Sequence, residues 1–151
     1  MTNQYVIFTL DSQRYALPLT AVEHIVRAVE ITPLPEAPAI VLGAIDVEGK
    51  VLPVLNLRRR FLLPEREIGP EDQFLIAYSS QRPVVLVIDE AHGVIECEPS
   101  AIVVADRIVP GIEQFKGIVR MDDGLVLIHD LDKFLSLDEE RDLEIAMDRG
   151  E

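Results

Sequence analysis

The chain says nearly the same thing twice. QYVIFTLDSQRYALPL begins at Gln4 and QFLIAYSSQRPVVLVI at Gln73; each opens with Gln and an aromatic residue, and each carries Ser-Gln-Arg between two apolar runs. The closing pieces also correspond. Gly43 matches Gly117, and Asn56-Leu57 matches Asp130-Leu131, at one and the same offset along the chain. Gln4 to Gln73 and Ser12 to Ser80 are separated by only slightly less. Amphipathic hairpins resemble one another because they share a period of two. Two ordered matches nevertheless favour an internal duplication, with approximate units 4–62 and 73–135. Each unit offers about five short strands, and an open sheet so small leaves exposed edges and half a core. Curling into a small barrel removes most of the edge. The expected fold is therefore mainly β: two five-stranded barrels side by side, with strands open to exchange between them. A groove or seam between them would collect the apolar residues left outside both cores.

Local signals agree with short strands. The pairs Tyr5 to Leu10 with Tyr15 to Leu19, and Phe74 to Tyr78 with Val84 to Ile88, read as hairpins, as do Val41 to Val47 with Val51 to Leu57, and Gly117 to Met121 with Leu125 to Ile128. Turns at Glu48-Gly49-Lys50 and Asp122-Asp123-Gly124 have the acidic and glycine chemistry that tight turns prefer. Thr20-Ala-Val-Glu23 has the spacing of a capping box and predicts a short helix to about Arg27. Ser136-Leu-Asp-Glu139 repeats the spacing and predicts a C-terminal helix. The run from Ile31 to Pro38 is rich in proline, so it reads as a rigid connector.

The net charge of −13 disfavours nucleic acid and anionic membrane as partners. Cys97 is the only cysteine, so no internal disulfide forms, which fits a reducing cytoplasm. MTNQYVIFTLDSQ lacks the basic segment of a secretory signal, and no apolar run reaches the roughly 20 residues of a membrane helix.

Catalytic signatures are missing. There is no P-loop, GxGxxG, HExxH, GxSxG or CxxC. His24, His92 and His129 have no ligand-type spacing, and Cys97, between two glutamates, is disfavoured as a thiolate. His129-Asp130 resembles half of a dyad, but neighbouring strand residues face opposite ways; Asp130 reads instead as the cap of a following turn. The expectation is a binding module with no enzyme activity, no cofactor and no metal.

GAIDVEGKVLPVLNLRRRF resembles the signature of the CheW-type bacterial chemotaxis coupling proteins, approximately G-x-x-N-x-R-G-x-x-x-P-x-x-D-L-R. Gly43, Gly49, Pro53, Leu57 and Arg58 match in identity and spacing. QYVIFTLDSQRYALPLTAVEHIVR, VVLVIDEAHGVIE and KGIVRMDDGLVLIHDLDKFL resemble the family too, so the likeness runs from about Gln4 to Leu137. It implies a single CheW-like domain over 1–151, made of two SH3-like barrels. It implies a cytoplasmic adaptor, recruited to membrane arrays, that joins methyl-accepting chemoreceptor tips to the regulatory domain of a CheA-type histidine kinase. Asp46 stands where Asn is usual, Asn56 where Asp is usual, and Glu48 where Arg is usual.

Carried over by position, the receptor-facing residues are Glu23, Ile25 and Val26 on the short helix, with Val47, Glu48, Gly49 and Val51 around the turn. Gly117, Arg120 and Met121 are the kinase-facing candidates. Arg58, Arg59 and Arg60 either contact partner carboxylates or are solvated, with an internal ion pair for Arg58. Two alternatives accompany the adaptor: a variant that binds the kinase and caps arrays without the usual receptor docking, and a small-molecule binder using the groove between barrels.

Overall fold

The computed structural model describes residues 3–104, 115–122 and 124–150. In chain order the strands are β1 Asn3–Leu10, β2 Gln13–Pro18, β3 Val22–Arg27, β4 Val41–Val47, β5 Lys50–Leu55, β6 Gln73–Tyr78, β7 Pro83–Ile88, β8 Glu90–Cys97, β9 Ile102–Val104, β10 Phe115–Met121 and β11 Gly124–His129. Helix α1 spans Leu57–Arg60 and α2 spans Leu137–Gly150. One sheet has the order β8-β1-β2-β11-β10-β9, the other β3-β6-β7-β5-β4. The second has the expected five strands; the first carries a sixth, the very short β9.

The two sheets are built to one plan. The hairpin β1–β2 pairs with β8 on one side and, in parallel, with β11 on the other. The hairpin β6–β7 pairs likewise with β3 and, in parallel, with β5. Strands β3 to β7 are contiguous in sequence, whereas the first sheet joins the N-terminal hairpin to strands from the second half of the chain. Each sheet thus takes strands from both stretches that look alike in sequence.

Gly43 and Gly117 mark the same place in both sheets. Each follows a register shift, in β4 and β10 respectively. A Cβ on Gly43 would lie 2.3 Å from the Thr32 carbonyl oxygen, and one on Gly117 would lie 2.5 Å from that of Val103. Thr32 bridges to Ala44 where β9 pairs with β10. A neighbouring backbone crosses each bulge so closely that only glycine fits.

Alternation divides the apolar residues among three clusters. Tyr5 and Ile7 enter the first barrel, with Ala16, Cys97, Val119, Val126 and Ile128. Phe74 and Ile76 enter the second, with Ile45, Leu52, Val54 and Val85. The opposite faces of the same strands, including Val6, Phe8, Leu75 and Ala77, meet in a third cluster that also takes in Phe134 and Leu143. The strands β1 and β6 are therefore buried on both faces, which is why their sequences are almost continuously apolar. The seam expected between barrels exists, but it is a filled core and not an open groove: Phe8 is 0% and Phe134 1% exposed. At its margin, between Leu17, Lys116 and His129 of the first sheet and Tyr78 of the second, a smaller cavity of about 260 Å3 remains.

The helix predicted from Thr20 is a strand. Only Leu19–Ala21 form a 3-10 turn, and Val22 to Arg27 continue as β3 paired with β6. The β-branched Val22, Ile25 and Val26 suit a pleated surface, and that pairing outweighs a capping signal. At the second site the capping box forms: the Ser136 N–H donates to Glu139 Oε1 at 2.9 Å, and the Glu139 N–H to Ser136 Oγ at 3.1 Å.

Candidate interaction surfaces

The turn between β4 and β5 is tight and pre-shaped. Val47 pairs with Lys50, leaving Glu48 and Gly49 as the loop, at φ 52° and 87°. Positive φ at both positions is the geometry of a type I′ turn, which follows the strand twist. Asp46 holds it: its Oδ1 accepts the Gly49 N–H at 2.8 Å. The aspartate thus does what a small amide would do there. Glu48 and Gly49 project into solvent, Val51 is exposed, and Val47 is half-buried.

Strand β3 supplies the other candidates. Glu23 is exposed, and its carboxylate hydrogen-bonds the Tyr78 hydroxyl, which holds that phenol above its usual range. Ile25 leans on the seam cluster. Val26 and Val47 rest on the core inside the second barrel. The structure therefore brings Val26 of one edge strand and Val47 of the other to the same barrel, with Glu23 and Ile25 on the first edge, Glu48 and Gly49 in the β4–β5 turn and Val51 on β5, next to the second edge. The correction to the expectation is that Glu23, Ile25 and Val26 sit on a strand.

The first barrel carries an equivalent face. Ile95 of β8 and Met121 of β10 lean on its inner core, as Val26 of β3 and Val47 of β4 do in the second. Val94 is 50% and Leu125 49% exposed, matching Val51 at 43%. Between these strands opens a cavity of about 650 Å3 bordered by Ile7, Arg14, His92, Ile95, Met121 and Val126. Arg120 is exposed and Met121 half-buried, but Gly117 lies beneath the β9 backbone. Gly117 is thus a packing position, unable to touch a partner in this arrangement. Val94 and Leu125 were missed by sequence reasoning. The repeat itself could have found Leu125, since it follows Val51 at the same offset as Gly117 follows Gly43. Asp123, in the turn nearby, falls outside the described residues.

The three arginines part company. Arg58 is buried, 2.8 Å from Asp11, 2.8 and 3.0 Å from the two Asp89 oxygens, and donates to the Pro64 carbonyl at 2.9 Å. Arg60 forms a two-pronged pair with Glu139 and lies 5.4 Å above the Phe134 ring. Arg58 thus has the internal ion pair that was the alternative to partner contact, and Arg60 is likewise engaged within the fold. Arg59 alone points outward, 3.8 Å from Glu65, with about half its side chain exposed. Asn56 caps α1, accepting the Arg59 N–H at 3.1 Å, and Asp130 caps its counterpart turn by accepting the Asp132 N–H at 3.2 Å.

His129 is fully buried and, among the described residues, neither ring nitrogen has a hydrogen-bond partner. Phe61, Phe115 and Phe134 meet it edge-on. Burial, helped by nearby Lys116, pushes its pKa down to about 3, so the ring is neutral. Burial also raises the Cys97 thiol, which suits packing and not nucleophilic attack. Among the described residues no three His, Cys, Asp or Glu side chains converge as a metal site, and no helix is long and apolar enough to cross a membrane.

Comparison with known proteins fits this architecture. The CheW-like domain family matches residues 4–139. The chemotaxis protein CheW of Treponema pallidum is 27% identical over 139 residues, covering 88% of this chain and 82% of that protein. The Bacillus subtilis CheW is 33% identical over 64% of this chain and 62% of its own length. A crystal structure of the scaffolding protein TtCheW from Thermoanaerobacter tengcongensis superposes with a TM-score of 0.83 at 26% identity, covering 92% of this chain and 96% of that one. The two sheets are accordingly SH3-like barrels, and the chain belongs to the family of CheW-like domains.

Proposed function

We propose that the chain is a non-catalytic cytoplasmic adaptor, joining the signalling tips of methyl-accepting chemoreceptors to the regulatory domain of a CheA-type histidine kinase. The observation that carries this is the doubled face: two barrels, each presenting half-buried apolar side chains beside an exposed one, on equivalent strands of the two sheets. A protein that links two partners needs two such surfaces. The receptor is assigned to the face of Glu23, Ile25, Val26, Val47, Glu48, Gly49 and Val51. The kinase is assigned to the face of Arg120 and Met121, extended by Val94 and Leu125. Arg59 is a peripheral contact for a partner carboxylate. A shift in receptor state then biases how the docked kinase domain sits, as differential contacts require. Individual contacts are modest, and strength comes from many linked ones.

Titration calorimetry of the purified chain with the kinase regulatory domain tests this. Binding at tens of micromolar or tighter, about −6 kcal/mol or better, is expected. No association there, under conditions where a known CheW binds, contradicts it. A second reading rests on the unpaired acid at Glu48: the chain binds the kinase, repels the usual receptor tips and caps arrays. In that case Glu48→Arg restores receptor binding.

A further inference from the structure

Glu48 has no structural reason to be glutamate. It occupies the first loop position of the turn at φ 52°, where glycine, asparagine or aspartate is favoured and a longer side chain costs local energy. The local hydrogen bond that fixes the turn comes from Asp46, 2.8 Å from the Gly49 nitrogen. The Glu48 side chain is exposed and, among the described residues, joins no hydrogen bond or ion pair. Val47, half-buried, precedes it, the exposed Lys50 follows the turn, and the exposed Val51 lies one pair further along, opposite Asp46. The opposite edge strand adds a second exposed acid, Glu23. The turn thus carries, beside Val47 and Val51, a carboxylate that starts from a fixed backbone and, among the described residues, forms no ion pair.

We propose that Glu48 sets partner specificity, selecting a receptor tip whose apolar helical surface carries a lysine or arginine opposite the β4–β5 turn. This rests on the receptor docking proposed above. The rim of such an interface is where opposite charges choose partners and like charges exclude them. The tight turn strengthens the choice, because it fixes the backbone from which the side chain projects and so lowers the ordering cost of a contact there.

A charge exchange tests it. Two receptor-tip helical hairpins are prepared with the same sequence except at the position facing the turn, one carrying Lys there and one Glu. Each is titrated against the wild-type chain, Glu48→Lys and Glu48→Asn, at low and high salt. Wild type should bind the Lys tip about tenfold more tightly than the Glu tip, with the difference shrinking as salt rises. Glu48→Lys should reverse the preference, and Glu48→Asn should abolish it while keeping or raising thermal stability, since asparagine suits the turn. Wild type binding both tips equally overturns the assignment of Glu48 and leaves receptor docking standing. Binding to neither tip overturns both.

Discussion

Arg58, at the start of α1 beyond the second barrel, reaches 2.8 Å to Asp11 in the turn of the first barrel's β1–β2 hairpin. The same guanidinium holds Asp89, between β7 and β8, and Arg66 ties Asp89 to Asp72. The other half has a reciprocal clasp. Asp132 holds the place after β11 that Arg58 holds after β5. It accepts the Ser80 N–H at 2.6 Å, in the loop of the second barrel's β6–β7 hairpin. Each barrel thus grips the hairpin tip of the other. Removing the Arg58 guanidinium leaves Asp11 without its partner and Asp89 held by Arg66 alone, two partly buried carboxylates with half their compensation gone. Arg58→Met should cost about 2–3 kcal/mol, a figure reduced because Asp11 and Asp89 keep some solvent. Urea denaturation with an unchanged m-value checks this.

Acid should weaken the fold in two stages. Unfolded histidine takes a proton near 6.5, whereas His129 in the fold does so only near 3. Its neutral form therefore favours the fold fully above pH 6.5, and that contribution is lost as pH falls from 6.5 towards 3, at up to about 1.4 kcal/mol per unit. Asp72 acts lower down. The Arg66 guanidinium holds its carboxyl below the usual 3.8, so its contribution is present above that value and lost as pH falls through the folded pKa. Leu55 occupies the equivalent place in the other sheet, pairing with Val41 as His129 pairs with Phe115. His129→Leu should raise stability at neutral pH by about 1–2 kcal/mol and erase the upper stage only. Denaturation midpoints from about pH 7 to about pH 3.5, spanning the histidine window, would show it.

Gly43→Ala and Gly117→Ala should both destabilise, by about 2 kcal/mol or more, because each new methyl meets a backbone carbonyl. Gly43→Ala should be the worse, since its φ of 152° adds strain. If Gly117→Ala instead kept its melting temperature and lost only kinase binding, the packing role given to Gly117 would be wrong.

Asp46→Asn should leave stability within about 0.5 kcal/mol, as the amide oxygen can accept the same Gly49 N–H. Asp46→Ala should lose about 1 kcal/mol. Thermal melts of the two variants separate a hydrogen-bonding role from a charge role.

Much of the fold was legible in the sequence, and the failures have physical causes. Hairpins announce themselves through nearby residues, so Glu48-Gly49 and the strands beside it could be read locally. The pairing of β3 with β6 and of β8 with β1 leaves no local mark, because any apolar edge can pair with any other. The capping spacing at Thr20 and at Ser136 looks identical. Only Ser136 is followed by residues free to stay helical, while Val22 and Ile25 are claimed by β6. For the same reason an internal ion pair could be expected for Arg58 but not its partners: the carboxylates, on Asp11 and Asp89, come from hairpin ends far from it along the chain. The candidate face was half visible. Glu48 stood out against the family pattern, whereas Leu125 was marked only by its repeat offset from Val51, and its exposure on the barrel surface carries no local signal.

The two barrels are proposed to carry separate faces for separate partners. Affinities of Val51→Arg and Leu125→Arg for a receptor tip and for the kinase regulatory domain test it most directly. With both variants folded by circular dichroism, Val51→Arg should lose receptor affinity by about tenfold or more and keep kinase affinity, and Leu125→Arg should do the reverse. Equal loss of both partners in either variant, or no loss in both, would contradict it.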